Sequence, residues 1–421
     1  MKLFEIKNQP APWLLVEGAE GKNTHLEHLE DIILNDGVAG AQTAFAYLEN
    51  MRLMLSKGTG QAGKVTVKWD GAPAIICGID PADGKFFLGT KSVFAQDAKL
   101  VKTASDINKY YSDKPGLAEK LGYALKYLPK LGIGNVLQGD LMFIDKDLGQ
   151  AEVGGEQCYV FTPNTISYAV PVNSQLGQVM AKAKIGIVFH TAYNGASLPD
   201  MKAEFGVSVA GLNKTPNVWY DDATYKDLTG RASLTTEENR ALSAAITGGQ
   251  KTLAKINRAK FDMILQNAEF AKYIKPFINT RIRGGEQVGE PITFLKEFVT
   301  FYTGKMEAEI AKLKSGPESK AAQDRIQKIQ AQEQFVADNS NTLLAIMAIY
   351  KRVIEIKLAI VRKLQQMESI VGTFIKSESG YQVMNPEGFV AIGHDGGAVK
   401  LVDRLEFSRQ NFAGVQDWKR Q

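Results

Sequence analysis

VKWDGAPAI, residues 67–75, places one lysine between a β-branched run and a tight Asp-Gly turn that leads into a second β run. Lys68 is therefore predicted to lie at the end of a strand, with its amine facing a cleft. A lysine is a useful nucleophile only when its amine is neutral, and burial or neighbouring cations can lower a lysine pKa enough to allow this. Gly71 permits close approach of the backbone to a ligand. The stretch indicates a nucleophilic lysine or, as the alternative, a turn with a solvated lysine.

The composition is that of a globular protein and excludes several other classes of protein. Of 421 residues, 44% are hydrophobic and 23% are charged, so a wholly disordered or collagen-like chain is excluded. The two cysteines are too few for a disulfide framework or a metal cluster. The N-terminus lacks a signal-peptide core, and the most apolar later segment, residues 343–361, contains four charged side chains. We expect a monomer that is not secreted, has no membrane partner and resides in the cytoplasm.

The net charge of +4 conceals an asymmetry along the chain. Residues 231–376 contain 23 basic and 15 acidic side chains, a net of +8, which leaves −4 for the remainder. Such a basic region can neutralise several phosphates and bind nucleic acid without regard to sequence. The alternative is a solvated helix face. The predicted nucleic-acid-binding residues are Lys251, Lys255, Arg258, Lys260, Arg281 and Arg283.

Hydrophobic periodicity divides the chain into four segments and predicts an α+β fold. Residues 1–60 have helical spacing, and residues 61–230 contain short β-rich runs separated by turns. Residues 231–376 return to helical spacing, and residues 377–421 contain two further strand-like runs. The simplest arrangement is a β-rich body that is interrupted by a basic helical insertion and completed by C-terminal strands.

The lysine stretch resembles motif I of the covalent nucleotidyltransferases, the superfamily of polynucleotide ligases and messenger-RNA capping enzymes. In that superfamily the motif I lysine attacks the α-phosphate of a nucleotide. Residues 385–390, NPEGFV, resemble motif IV, in which the glutamate, here Glu387, serves a divalent metal. Residues 398–402, AVKLV, resemble motif V, in which the lysine, here Lys400, contacts the α-phosphate. The chain also resembles uncharacterised, ligase-like proteins of tailed phages.

Three intermediate runs extend the resemblance in the correct order. Residues 87–92, FLGTKS, resemble the motif after motif I, with Lys91 where many members have arginine. Residues 136–142, VLQGDLM, resemble motif III, with Asp140 in place of the usual glutamate. Residues 159–161, YVF, resemble the strand whose aromatic residue stacks on adenine, and Phe161 is predicted for that role.

The resemblance implies an antiparallel β core of the adenylation-domain, ATP-grasp-like type. Residues 140 and 387 are separated by a helical insertion that the superfamily pattern lacks. Only 21 residues follow Lys400, too few for the OB domain that many members carry there. We expect a core with a large helical insertion and no C-terminal OB domain, in which the basic insertion replaces that domain as a nucleic-acid clamp.

The resemblance further implies an ATP-dependent ligase that seals nicks between a 5′-phosphate and a 3′-hydroxyl through a lysyl-AMP intermediate. The expected cofactors are ATP, as AMP donor, and Mg²⁺ or Mn²⁺ held by Glu387 and Asp140. The expected partner is nicked duplex DNA first, with an RNA–DNA hybrid or RNA also compatible, in replication or repair. The predicted catalytic residues are Lys68, Lys91 and Lys400, and the predicted nucleotide-binding residues are Lys68, Asp70, Gly71, Asp140, Phe161, Glu387 and Lys400.

Three other interpretations remain open. A capping-type guanylyltransferase would share motif I and prefer GTP. A non-catalytic nucleic-acid-binding protein could keep the fold and the basic helices, and an unrelated α+β protein could carry the motifs by accident. His190 is expected to be a hydrogen-bonded structural residue, and His394 lies in a turn between the two closing strands.

Overall fold

The computed structural model describes residues 26–57, 64–224, 233–366, 372–377, 380–383, 386–393 and 397–413. The turn that contains His394 lies outside these residues. The first described element is helix α1 (Asp31–Lys57), which is kinked at Gly37, where φ is 58° and ψ is −130°. Among the described residues, every helix is too short or too polar to span a bilayer.

Residues 64–224 form a β-rich body, as the period-2 patterning predicts. Its strands are β1 (Lys64–Lys68), β2 (Ala74–Ile79), β3 (Phe86–Gly89), β4 (Val136–Ile144), β5 (Gly149–Val153), β6 (Glu156–Phe161), β7 (Ser167–Pro171), β8 (Ile185–Asn194), β9 (Lys202–Phe205) and β10 (Val218–Asp222). Its helices are α2 (Ala104–Tyr111), α3 (Pro115–Tyr127) and α4 (Gln175–Met180).

The following segment is helical, and side chains cap several of its helices. Thr235 and Glu238 form a reciprocal capping box at the start of α5, while Asn257 and Asn267 cap the next two helices. The helices are α5 (Thr236–Ala254), α6 (Arg258–Leu265), α7 (Ala268–Arg283), α8 (Pro291–Ala311), α9 (Lys320–Asp338) and α10 (Ser340–Leu364).

The chain then returns to β structure. The closing elements are β11 (Gly372–Ser377), β12 (Gly380–Val383), β13 (Gly388–Ile392), β14 (Ala398–Leu401) and helix α11 (Arg404–Ala413). The helical segment therefore ends at Leu364, earlier than the predicted boundary at residue 376, because β11 already pairs with β7. Helix α11 was not predicted.

The described strands form three sheets. The first has the order β1-β13-β14, and the second has the order β10-β8-β4-β2-β3 with β9 paired to β8. The third has the order β12-β11-β7-β6-β5. The β8–β10 pair is parallel and the other described pairs are antiparallel, which confirms the α+β class.

The largest hydrophobic core joins the helices to the first sheet. Its buried side chains come from α1, α5–α8, α10 and strands β1, β13 and β14. Helix α1 and the predicted insertion thus form one helical body, and the first sheet packs against it. Within that sheet, Phe389, Ala391, Val399 and Leu401 belong to this core, so the alternation of strand side chains places Lys400 on the opposite face.

Candidate active site

The register of the first sheet brings together three predicted residues that are far apart in sequence. Lys68 is the last residue of β1 and pairs with Gly388, the residue after Glu387. Lys400 lies on β14, opposite Val390 of β13. The Lys68 ammonium forms an ion pair with Oε1 of Glu387. Three adjacent strand segments thus present an amine, a carboxylate and a second amine at one place.

Glu387 is a buried acid with an unused oxygen. Its side chain is 5% exposed, and its Oε2 atom has no hydrogen-bond partner among the described residues. Burial raises the pKa of Glu387 to about 7, although the Lys68 charge acts in the opposite direction; the nearby Asp70 and Asp140 carboxylates raise it further. An orphaned buried oxygen is costly, so it points to a proton or a ligand at this position.

Lys400 is held through its backbone as well as by the sheet. Its N–H donates to the Glu27 carbonyl at 2.9 Å, and its carbonyl accepts from the Leu29 N–H at 3.2 Å. Burial lowers the pKa of Lys400, and the charge of Lys68 lowers it further. The segment before α1 therefore fixes the position of the second amine of the site.

Asp70 organises the turn after Lys68. Its carboxylate accepts from Asn164 Nδ2 at 2.8 Å and from the N–H groups of Thr165 at 2.7 Å and Ile166 at 2.8 Å. Its own N–H donates to the Tyr168 hydroxyl at 2.7 Å. A carboxylate offers about four acceptor positions, and three are used within the chain. These contacts favour a role in shaping the turn over the predicted nucleotide contact for Asp70.

Gly71 lets the turn approach strand β4 closely. A Cβ atom at this position would lie 2.5 Å from the Asp140 Cβ and 2.9 Å from the Met142 sulfur. Two backbone hydrogen bonds of 3.0 Å, between residues 72–73 and residue 141, join the turn to β4. Asp140 is thereby held near Glu387 and influences its pKa. The glycine in this turn is required by the close approach of the two backbones.

His190 has a structural hydrogen bond beside Asp140. Its Nδ1 atom lies 2.8 Å from the Thr191 hydroxyl. Its Nε2 atom is 3.7 Å from Asp140 Oδ1, which is too long for a hydrogen bond.

Phe161 does not occupy the predicted base-stacking position. Its ring is 1% exposed and packs against the ring of Tyr168 at 5.4 Å and that of Phe143 at 5.0 Å. Both faces are covered because this side of β6 packs in a hydrophobic core. The prediction of adenine stacking on Phe161 is therefore corrected. The half-buried aromatic residue nearest Lys68 in sequence is Trp69, whose ring lies 5.1 Å from that of Tyr168.

Lys91 is exposed at the start of a 3₁₀ helix that follows β3. It forms no ion pair with the described residues, and the geometry does not link it to Lys68. Its predicted catalytic role therefore depends only on the sequence motif.

The predicted nucleic-acid contacts divide into free and neutralised side chains. Lys251, Lys255, Arg258 and Arg283 are exposed, and Lys260 is partly exposed. Arg281 is different: it is 18% exposed and forms ion pairs with both Glu286 and Glu297. Because its charge is already compensated, the assignment of Arg281 to nucleic-acid binding is corrected.

The carboxylates of the site fit a magnesium site with few protein ligands. The described part of the chain holds no cluster of three or more His, Cys, Asp or Glu side chains suited to a metal. Magnesium in nucleotide enzymes often uses only one or two carboxylates, with phosphates and water completing the octahedron. Glu387 and Asp140 would be those two, and the unpartnered Oε2 of Glu387 fits that role.

Sequence reasoning missed the contribution of α11. The Phe407 ring centroid lies 6.0 Å from the Lys68 ammonium, the outer range of a cation–π contact. Asp403 caps this helix, since its carboxylate accepts from the N–H groups of Leu405 and Glu406 at 3.1 and 3.2 Å. That capping aspartate was the available signal for the helix.

The comparisons with known proteins identify a family, and the function of that family is unknown. The model of a family of unknown function, DUF6267, matches residues 23–416, which include all the predicted site residues. No curated protein and no solved structure matches the chain.

Proposed function

The chain belongs to the family DUF6267, and we propose that it is an ATP-dependent nucleotidyltransferase of the polynucleotide-ligase type. The observation that carries this proposal is the convergence of Lys68, Glu387 and Lys400 on three adjacent strand segments. This arrangement supplies a nucleophilic amine, a carboxylate beside it and a second cation that can stabilise charge on a phosphate.

In the first step, the Lys68 nitrogen attacks the α-phosphorus of ATP. A nitrogen–phosphorus bond forms, the bond to the β-phosphate oxygen breaks, and pyrophosphate leaves. The Lys68 ammonium must first lose a proton, and Glu387 is already bound to it. With no cation bound, burial brings the pKa of Glu387 to about 7, so in that state its carboxylate can accept the proton near neutral pH. Lys400 supplies positive charge for the α-phosphate oxygens.

A divalent cation bound by Glu387 and Asp140 would offset negative charge on the phosphates. The protein's own contribution is to hold these carboxylates in place, through the β13 register for Glu387 and the Gly71–β4 contact for Asp140.

The AMP would then pass to the 5′-phosphate of a nicked strand, and a 3′-hydroxyl would displace it to seal the nick. Nicked duplex DNA is the first choice of substrate, and an RNA–DNA hybrid is the second. The exposed side chains of Lys251, Lys255 and Arg258 support a polyanionic partner, because no carboxylate among the described residues pairs with them. Their contacts would follow the backbone rather than the base sequence.

The test is self-labelling of the purified full chain with α-labelled ATP and Mg²⁺, in the absence of nucleic acid. We expect a label that survives denaturation, is released by acid and disappears in Lys68→Ala. Lys85→Ala, which removes an exposed lysine from the β2–β3 turn, is the matched control and should label normally.

Nucleotide preference separates this proposal from the capping class. Label from GTP but not from ATP would move the assignment to a guanylyltransferase. If Lys68→Ala labels as strongly as the wild type, Lys68 is not the acceptor and the proposal fails.

A further inference from the structure

Helix α5 (residues 236–254) lines an open groove to which α1 contributes Arg52, and all the charged side chains of this groove are basic. The groove has a volume of about 620 Å³. Its charged lining residues are Arg52, Arg240 and Lys251, and none of its lining residues is acidic. Arg52 is compensated by Glu49, whereas Arg240 and Lys251 are exposed and form no ion pair with the described residues.

The polar residues of the groove occupy one face of α5 along its whole length. Thr236, Arg240, Ser243, Thr247 and Lys251 recur at intervals of three or four residues, the spacing that aligns side chains on one face. The opposite face is buried in the helical core through Leu242, Ile246, Gly249 and Leu253. The polar face is therefore a straight track with a free cation near each end and hydroxyl groups between.

We infer that this groove binds the sugar–phosphate backbone of one nucleic-acid strand. At 1.5 Å per residue, Arg240 and Lys251 are about 16 Å apart along the helix axis, roughly the rise of five nucleotides in a duplex strand. Phosphate oxygens accept hydrogen bonds from Arg and Lys and also from hydroxyl and amide side chains. The exposed Lys255 and Arg258 follow within a few residues of the end of α5.

The residues that line the groove favour a nucleic-acid backbone over a protein or a membrane as its ligand. Protein interfaces have an apolar centre, and membrane-binding helices expose large apolar side chains. The apolar contribution to this groove is limited to Ala244, Gly248 and side-chain stems. This inference builds on the nucleic-acid partner of the proposed function and adds Arg240, Ser243 and Thr247 to the residues that sequence reasoning selected.

The test uses fluorescence anisotropy with labelled nicked duplex DNA in the absence of ATP, over a series of salt concentrations. The charge-reversed variant Arg240→Glu/Lys251→Glu should bind at least tenfold more weakly. Its plot of log K against log[salt] should be shallower by about two units, because two phosphate contacts are lost. Ala244→Gln, which fills the groove without changing charge, should also weaken binding several-fold.

The matched control is Lys312→Glu/Lys314→Glu, which makes the same charge change at two exposed lysines after α8. It should bind nearly as the wild type does. If the control loses as much affinity as the groove variant, or if the groove variant binds normally, the inference is overturned.

Self-labelling of each variant with α-labelled ATP keeps this test separate from the proposed chemistry. Unchanged labelling with weakened DNA binding supports the groove. Normal labelling by a wild-type protein that binds no nucleic acid overturns the groove and leaves the adenylation step standing. DNA binding that depends on the groove without any labelling supports the groove and overturns the chemistry.

Discussion

Glu387 combines two features that a purely structural acid would avoid. One oxygen pairs with Lys68, while the other is buried without a partner among the described residues. Leaving such an oxygen unsatisfied costs about 1–3 kcal/mol. The protein bears this cost at the position where the proposed chemistry needs a proton acceptor or a metal ligand.

The raised pKa of Glu387 predicts a specific dependence of stability on pH. The folded protein holds this proton up to a pKa of about 7, whereas a free glutamate has a pKa of 4.5. The stabilisation of the folded state by this proton is therefore complete below pH 4.5, and it is lost as the pH rises through 7. Since one pKa unit corresponds to 1.36 kcal/mol, the loss is roughly 3 kcal/mol.

Denaturant unfolding of the wild type and of Glu387→Gln between pH 4.5 and 8 checks this prediction. The unfolding free energy of the wild type should fall relative to that of Glu387→Gln as the pH rises. Subtracting the variant cancels other titrating groups, including His28, whose pKa is lowered to about 3 by burial. A difference that stays constant with pH would contradict the assignment.

The site was only partly predictable from single residues. Lys68, Glu387 and Lys400 were found because each lies in a motif with a fixed local spacing. Phe161 was misassigned because alternation shows that two residues share a face of a strand, but it does not show whether another layer covers that face. The compensation of Arg281 depends on Glu297, a residue of another helix, and local charge patterns do not reveal such a pairing.

At the scale of the element, the kink in α1 depends on one glycine. Gly37 has a positive φ, and a Cβ atom there would lie 2.0 Å from Asp262 Oδ1. The same oxygen accepts from the Val38 N–H at 2.9 Å, so α6 holds the kink in place. A glycine within a helical run is a sequence signal for a break, but the partner on α6 is distant in sequence.

We expect Gly37→Ala to lower the free energy of unfolding by more than about 1 kcal/mol, because it combines a positive φ with a steric clash. Gly122→Ala in α3 is the control, since its Cβ atom would meet no atom within 4 Å. That substitution should be neutral or stabilise by about 0.5–1 kcal/mol. Equal effects of the two changes in thermal unfolding would refute the role of the kink.

Not every strand was predicted from the sequence. Strand β5 has mostly exposed side chains and therefore lacks a clear period-2 signal. The long helices α5, α8 and α10 were recognised because their buried residues recur with helical spacing.

At the scale of the whole molecule, a buried charge network connects the helical body to the candidate site. Lys357 of α10 and Glu30 are both 1% exposed, and their atoms are 2.7–2.8 Å apart. Arg404 of α11 bonds to Asp31, which also accepts from the Tyr350 hydroxyl at 2.7 Å. The residues just before Glu30 form the backbone hydrogen bonds to Lys400. The network thus holds the segment that positions the second amine.

Removing only one partner of the buried Lys357–Glu30 ion pair should strongly destabilise the folded protein. Lys357→Met leaves Glu30 buried with one partner fewer, so we expect a loss of about 3–5 kcal/mol. The double variant Glu30→Gln/Lys357→Met should recover part of that loss, because no unpaired charge remains at the pair. Arg352→Ala, in the exposed pair with Glu355, should change stability by less than about 1 kcal/mol.

Chemical denaturation of the wild type, of these three variants and of Glu30→Gln alone checks these values, and additive effects of the two buried substitutions would contradict the coupling. The pair could not be predicted from sequence, since its members are 327 positions apart.

The central claim is that Lys68 carries AMP, and peptide mass spectrometry of the full chain tests it most directly. The protein is first treated with pyrophosphate and Mg²⁺, which would discharge any AMP already bound, and is then incubated with ATP and Mg²⁺. We predict one added AMP per chain, located on the peptide that contains Lys68 and removed by acid. AMP on another residue, or a folded protein that gains no AMP, would contradict the account.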